Sequence, residues 1–148
     1  MKIHLGADHA GFRLKEALKE QLVADGHAVE DHGCASEERC DYPDYGAAVG
    51  RAVAAEPGSR GLLVCGSGIG ISIAANKIAG VRAALVHDET TARLSREHND
   101  ANIVCLGARV IGGETAAHAL KAFLSTEFAG GRHAGRIAKI GEIEKGKV

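Results

Sequence analysis

Cys65 closes the apolar run Leu62-Leu63-Val64-Cys65 and opens the turn Gly66-Ser67-Gly68-Ile69-Gly70. Alternating glycines straight after an apolar strand let backbone N–H groups come close to a bound anion. The next segment, Ile71-Ser72-Ile73-Ala74-Ala75-Asn76-Lys77, reads as the start of a buried helix whose free N–H groups and positive end face the turn. A sulfur there is placed to act as a base or a nucleophile. The same N–H groups can hold an oxygen that gains negative charge during a reaction. A strand, a glycine-rich turn and a helix also occur in many proteins without this chemistry. The pattern GxGxG is one residue short of a dinucleotide fingerprint, although Asp88 stands near the place of that fingerprint's acidic residue. A nicotinamide-dependent enzyme is therefore a competing reading, whereas a Walker loop is excluded because no Gly-Lys-Ser/Thr follows.

Other polar groups fall at the ends of apolar runs. Asp8 and His9 follow Ile3–Ala7, and Arg109 follows the run Asn102–Leu106. In parallel sheets such strand ends surround the ligand. His98-Asn99-Asp100 precedes the last of these runs and by itself reads equally as a polar helix end. Arg132 and Arg136, four residues apart, share one helix face. Two guanidinium forks on one face suit a phosphate, but a solvated basic face is the plain alternative. Of the other cysteines, Cys105 lies in an apolar run and reads as core packing, while Cys34 and Cys40 lie in a polar loop with no evident role.

These groups need a scaffold, and the apolar pattern supplies one. Short runs at Ile3–Ala7, Ala28–Asp31, Gly61–Cys65, Val81–Val86 and Asn102–Leu106 read as five strands. Between the first two, Leu14, Leu18 and Leu22 recur at helical spacing with Ala17 alongside, and Arg13, Lys15, Glu16, Lys19 and Glu20 fill the other face. That helix ends at Gly26. Ala116, Leu120, Phe123 and Leu124 repeat the logic. Strands alternating with helices predict an α/β doubly wound parallel sheet. After Gly130-Gly131 the chain turns polar and basic, with a thin stripe of Ile137, Ile140 and Ile143. This reads either as a final helix whose seam packs on another surface, such as a second subunit, or as a frayed end.

The 148 residues fit a single domain, 1–148, with a core of Ala, Val, Ile and Leu, since aromatics are scarce and Trp is absent. A net charge of −1 gives no basic footprint for nucleic acid. No apolar run is long enough for a membrane helix, and the N-terminus lacks signal-peptide features, so a cytoplasmic protein without membrane or nucleic-acid partners is expected. Disulfides are then not expected. The absence of a CxxC pair or a close Cys/His cluster in the sequence argues against zinc.

Taken in order, these residues resemble the ribose-5-phosphate isomerase type B family, which includes galactose-6-phosphate isomerase subunits. The resemblance rests on Gly6-Ala7-Asp8-His9-Ala10-Gly11-Phe12, Asp41-Tyr42-Pro43-Asp44-Tyr45, Cys65 through Lys77, Ser95 through Asn102, Gly107-Ala108-Arg109-Val110 and Gly130-Gly131-Arg132-His133. It implies a three-layer Rossmann-like sheet of five parallel strands with the C-terminal helix packed on a partner subunit. It also implies interconversion of ribose 5-phosphate and ribulose 5-phosphate through an enediolate, with no metal and no cofactor. Carried onto this chain, Cys65 moves the proton between C2 and C1. Ser67 and the turn from Gly66 through Gly68 and Ile69 to Gly70 hold the enediolate oxygens. His98 assists ring opening, Asp8 meets a sugar hydroxyl, and Tyr42 lines that end of the pocket. His9, Arg109, Arg132 and Arg136 bind phosphate, and Asn99 binds hydroxyls. The implied assembly is a homodimer with shared sites, or a tetramer, in which His98, Asn99 and Arg109 come from the second subunit. Members without the cysteine place a Glu where this chain has Ile71, so the chain falls in the cysteine-type branch. Alternatives are an isomerase of a six-carbon sugar phosphate, allose 6-phosphate or galactose 6-phosphate, and a non-catalytic sugar-phosphate-binding module.

Overall fold

A computed structural model describes residues 1–147. Five strands, β1 (Lys2–Ala7), β2 (Ala28–Asp31), β3 (Arg60–Cys65), β4 (Ala83–Leu85) and β5 (Ile103–Gly107), form one sheet in the order β2-β1-β3-β5-β4. Every pairing is parallel. The central strands β3 and β5 are buried on both faces, which is why they read in sequence as continuous apolar runs.

Helices α1 (Phe12–Ala24), α2 (Tyr42–Ala55), α3 (Ile69–Ala75), α4 (Glu89–Asn99), α5 (Gly113–Ser125) and α6 (Arg132–Glu144) complete the chain. Alternation along the strands divides the core. Ile3, Leu5, Leu62, Val64, Val104 and Leu106 pack with Leu18 and Leu22 of α1, Ala92 of α4, and Ala116, Leu120 and Phe123 of α5. Leu63, Cys65, Ile103 and Cys105 point the other way, onto Val49 and Val53 of α2 and Ile71 and Ala75 of α3. The result is the expected three-layer, Rossmann-like α/β architecture. Strand order reverses between β1 and β3, where such sheets open a crevice beyond the carboxyl ends of the strands.

Two expectations change. Lys15 belongs to the buried side of α1, not its charged face. Its stem lies under the helix and its ammonium pairs with Asp31 of β2 at 2.7 Å and with Glu16 at 2.8 Å. The segment after the glycine turn is a helix of only seven residues, not a buried one throughout: Ile71, Ser72 and Ala75 are buried, but Ile69 and Ile73 are exposed. Among the described residues, no helix is long and apolar enough to cross a membrane.

Candidate active site

Three neighbouring strands end at one opening. β1 delivers Asp8, β3 delivers Cys65 and its glycine turn, and β5 delivers Arg109. Together with Tyr42, Ser67, Ile69, Gly70, Ile73 and Val110 they line a cavity of about 610 Å³. Cys65 is only 3% exposed, yet it forms part of this cavity's wall while its inner side meets the α2–α3 core.

The turn is folded around the sulfur. The Gly68 N–H donates to Cys65 Sγ at 3.1 Å, which places a donor where sulfur carries negative charge as a base. Gly68 has φ +78°, and a Cβ there would lie 2.6 Å from Leu85 Cδ1 and 2.9 Å from the Leu106 carbonyl carbon. The next amide, Ile69 N–H, donates to Ser67 Oγ at 3.1 Å and so leaves the Ser67 hydroxyl hydrogen for another partner. Two turn amides are thus engaged internally, and those of Gly66, Ser67 and Gly70 are the candidates for a ligand's oxygens. Gly107 of β5 passes so close to the turn that a Cβ would sit 2.5 Å from the Ser67 carbonyl oxygen.

Asp8 is buried, and its Oδ1 accepts the Gly11 N–H at 3.0 Å, fixing the carboxylate at the start of α1. Arg109 is anchored by its own N–H, which donates to Gly66 O at 2.9 Å, and its guanidinium lies over Gly66. Expected from a second subunit, Arg109 lines the cavity of its own chain. The Tyr42 ring lies against Gly70, where an added Cβ would come within 2.4 Å of its Cζ. Cys105, which the β3–β5 register sets opposite Leu63, contrasts with Cys65. Complete burial, with a smaller contribution from Cys65, pushes its thiol far above the ordinary range, so it stays protonated and inert.

The remaining candidates lie elsewhere. His9 follows Asp8, but its Nδ1 is 3.2 Å from both the N–H and the carbonyl oxygen of Cys40, and it does not line the cavity. His98 lies in the last turn of α4 and stacks on His133 of α6, with ring centroids 4.4 Å apart and planes at 13°. Burial, helped by the neighbouring His98, Arg132 and Arg136, lowers the His133 pKa. Arg132 and Arg136 are exposed on α6. Asn99 opens on a separate groove of about 500 Å³, shared with Val81, Ala83, Ile140 and Ile143. One chain therefore brings together Asp8, Tyr42, Cys65, the turn and Arg109, and presents His98, Asn99, Arg132 and Arg136 on another surface. Asp88, the acidic residue that kept the dinucleotide reading open, is used otherwise: its carboxylate caps α4 by accepting the Thr91 N–H at 2.7 Å. Sequence reasoning did not find His133, Ile73 or Val110 as neighbours of these groups, because apolar lining residues and a stacked imidazole have no spacing signature.

Residues 3–140 match the family model described as Ribose/Galactose Isomerase. The chain belongs to that family. Its relatives in the family include ribose-5-phosphate isomerase B of Escherichia coli strain K12, 46% identical over 144 residues that cover 97% of each chain. A solved ribose-5-phosphate isomerase B from Clostridium thermocellum is 49% identical and covers 100% of both chains with a TM-score of 0.97. The Mycoplasma genitalium enzyme, solved with bound ribulose-5-phosphate, is 39% identical, with 97% of this chain and 96% of that chain covered and a TM-score of 0.94. A relative named D-erythrulose-4-phosphate isomerase, from Pectobacterium atrosepticum, is 40% identical over 97% of this chain and 95% of its own. This member of the ribose/galactose isomerase family is thus a sugar-phosphate isomerase of the type B kind.

Proposed function

We propose that the whole chain, 1–148, acts as one domain that interconverts ribose 5-phosphate and ribulose 5-phosphate, with Cys65 as the proton-transferring base. The observation that carries this is the sulfur of Cys65, held by the Gly68 N–H in the wall of a cavity that also presents Asp8, Ser67 and Arg109.

In the aldose-to-ketose direction, ring-opened substrate lies with C2 toward Sγ. The deprotonated sulfur takes the C2 proton, the electron pair of that C–H bond forms the C1–C2 double bond, and the carbonyl pair moves onto O1. The resulting enediolate charge is met by the Ser67 hydroxyl and by the turn amides of Gly66, Ser67 and Gly70, while the Gly68 amide stays on Sγ and the Ile69 amide on Ser67 Oγ. The thiol of Cys65 then returns its proton to C1, while the hydroxyl proton of O2 is lost and O1 gains one. Loss of a single oxyanion donor typically costs about 3 kcal/mol of barrier lowering, so a turn with several donors accounts for much of the catalysis. Asp8 orients a sugar hydroxyl and Tyr42 closes that end. His98 assists furanose opening and Asn99 binds hydroxyls. Arg109, with His9, Arg132 and Arg136, holds the phosphate, whose binding energy positions the reacting carbons.

His98, Asn99, Arg132 and Arg136 stand away from the cavity of their own chain, and α6 leaves Ile140 45% and Ile143 61% exposed. A homodimer in which these residues complete the neighbour's site accounts for both features. The isomerase named for D-erythrulose 4-phosphate among the relatives supports a second reading, the same proton transfer on a four-carbon sugar. Measuring kcat/KM for ribose 5-phosphate, D-erythrulose 4-phosphate and allose 6-phosphate, with a chelator present, tests the assignment. Ribose 5-phosphate is expected to give the highest value. A higher value for either other sugar changes the substrate, and no turnover of any of them refutes the reading.

A further inference from the structure

Pairing of β1 with β2 sets His4 opposite Glu30, and the chain then brings His32 back beside them. The backbone of His32 is fixed by its N–H, which donates to Leu5 O at 2.9 Å. His4 Nδ1 lies 3.0 Å from His32 Nε2. Glu30 reaches both, with Oε2 at 3.9 Å from His4 Nδ1 and Oε1 at 3.7 Å from His32 Nε2. One ligand atom from each of the three residues lies within 4.8 Å of the others. On the far side of the His4 ring, Nε2 donates to Glu56 Oε2 at 2.8 Å.

We propose that His4, His32 and Glu30 form a binding site for a borderline divalent transition-metal ion such as Zn²⁺, with Glu56 as the outer carboxylate that orients His4. Nothing in the isomerase reaction uses these groups. His4 is 3% exposed and cannot turn away, whereas His32 at 20% and Glu30 at 50% open a path to solvent. Because Glu56 takes the proton on Nε2, the Nδ1 lone pair of His4 points at the space between the other two residues. A carboxylate on the outer nitrogen of a ligating histidine fixes its tautomer and ring orientation in metal sites generally. Imidazole and carboxylate ligands suit zinc, whose bonds of about 2.0–2.2 Å in tetrahedral geometry need ligand atoms about 3.3 Å apart. The imidazole nitrogens must part by a few tenths of an ångström, and the half-exposed Glu30 must close in by about half an ångström. Lys2 competes for the glutamate, since its Nζ lies 2.8 Å from Oε2, but that pair is on the surface and leaves Oε1 for the ion. Sequence spacing hides the site, because residues 4, 30 and 32 meet only through strand pairing. The ion would tie the edge strand β2 to β1.

The test is calorimetric titration of chelator-stripped protein, its thiols blocked beforehand, with Zn²⁺, and titration with Co²⁺ followed by visible absorption. Wild type is expected to bind one equivalent per chain and to give tetrahedral Co²⁺ bands without a thiolate charge-transfer band. Glu56→Gln should weaken binding roughly 10–100-fold, as loss of an outer carboxylate does, and His32→Gln should weaken it more. Glu30→Gln serves as the second ligand variant, and circular dichroism without metal checks that each variant folds. No saturable binding to wild type overturns the proposal, as does binding unaltered by both ligand variants. These readouts are independent of turnover, so they stand or fall apart from the isomerase reading.

Discussion

At the residue scale, the cavity separates two kinds of work. In the proposed reaction Cys65 and Ser67 meet charge that changes during proton transfer, and Arg109 meets the constant charge of the phosphate. Arg109→Ala should therefore raise KM for ribose 5-phosphate by tenfold or more with a smaller fall in kcat, the mark of lost uniform binding. Steady-state kinetics checks this, and a kcat loss at unchanged KM would move Arg109 into the chemistry. Asp8, Cys65 and Arg109 were legible because each stands at or just past the end of an apolar run that had to be a strand. The partner of the sulfur was not legible: which amide of the turn meets Sγ depends on the left-handed backbone at Gly68, and that emerges only when β5 packs against the turn.

At the element scale, the turn is held by backbone packing. Gly107→Ala places a methyl group against the Ser67 carbonyl, a contact with no flexible side chain to yield. It should cut kcat at least tenfold with little change in far-UV circular dichroism; full activity would show that the turn tolerates displacement. Strands were easy to read because a buried parallel strand is a short apolar run, and their ends agreed within about two residues. Lys15 was misread because periodicity assigns a charged residue to solvent, whereas α1 lies over the exposed edge strand and finds Asp31 there. Burial alone would raise the Asp31 pKa, but hydrogen bonds from Lys15, Lys19 and the Gly33 amide outweigh it and bring it to about 2 from 3.8. A lowered carboxylate contributes stability above its unfolded pKa and loses it as pH falls through the folded one. Wild type should exceed Asp31→Asn in urea stability by about 1–2 kcal/mol at neutral pH, after discounting for partial exposure. The gap should stay level down to about pH 5 and close between about pH 4 and 2. A gap that widens on acidification would contradict the assignment.

At the scale of the whole molecule, one chain gathers Cys65 and Arg109 at one cavity, and its last helix presents Arg132 and Arg136 on a different surface. Ile143→Asp, on the exposed stripe of α6, should shift the protein toward monomer in sedimentation velocity and lower kcat/KM by at least tenfold. A monomer of full activity would show that each cavity is complete alone. Sequence pattern gave α6 an apolar seam but not its direction, since three isoleucines cannot say whether they meet the same chain or another. Whether one sulfur transfers the proton is decided by the kcat of Cys65→Ala on ribose 5-phosphate in the presence of a chelator. A general base contributes roughly 10²–10⁴-fold, so a loss of at least about 100-fold, with an unaltered thermal melt and retained ribulose 5-phosphate binding, is the predicted result. Activity within a few-fold of wild type would contradict it.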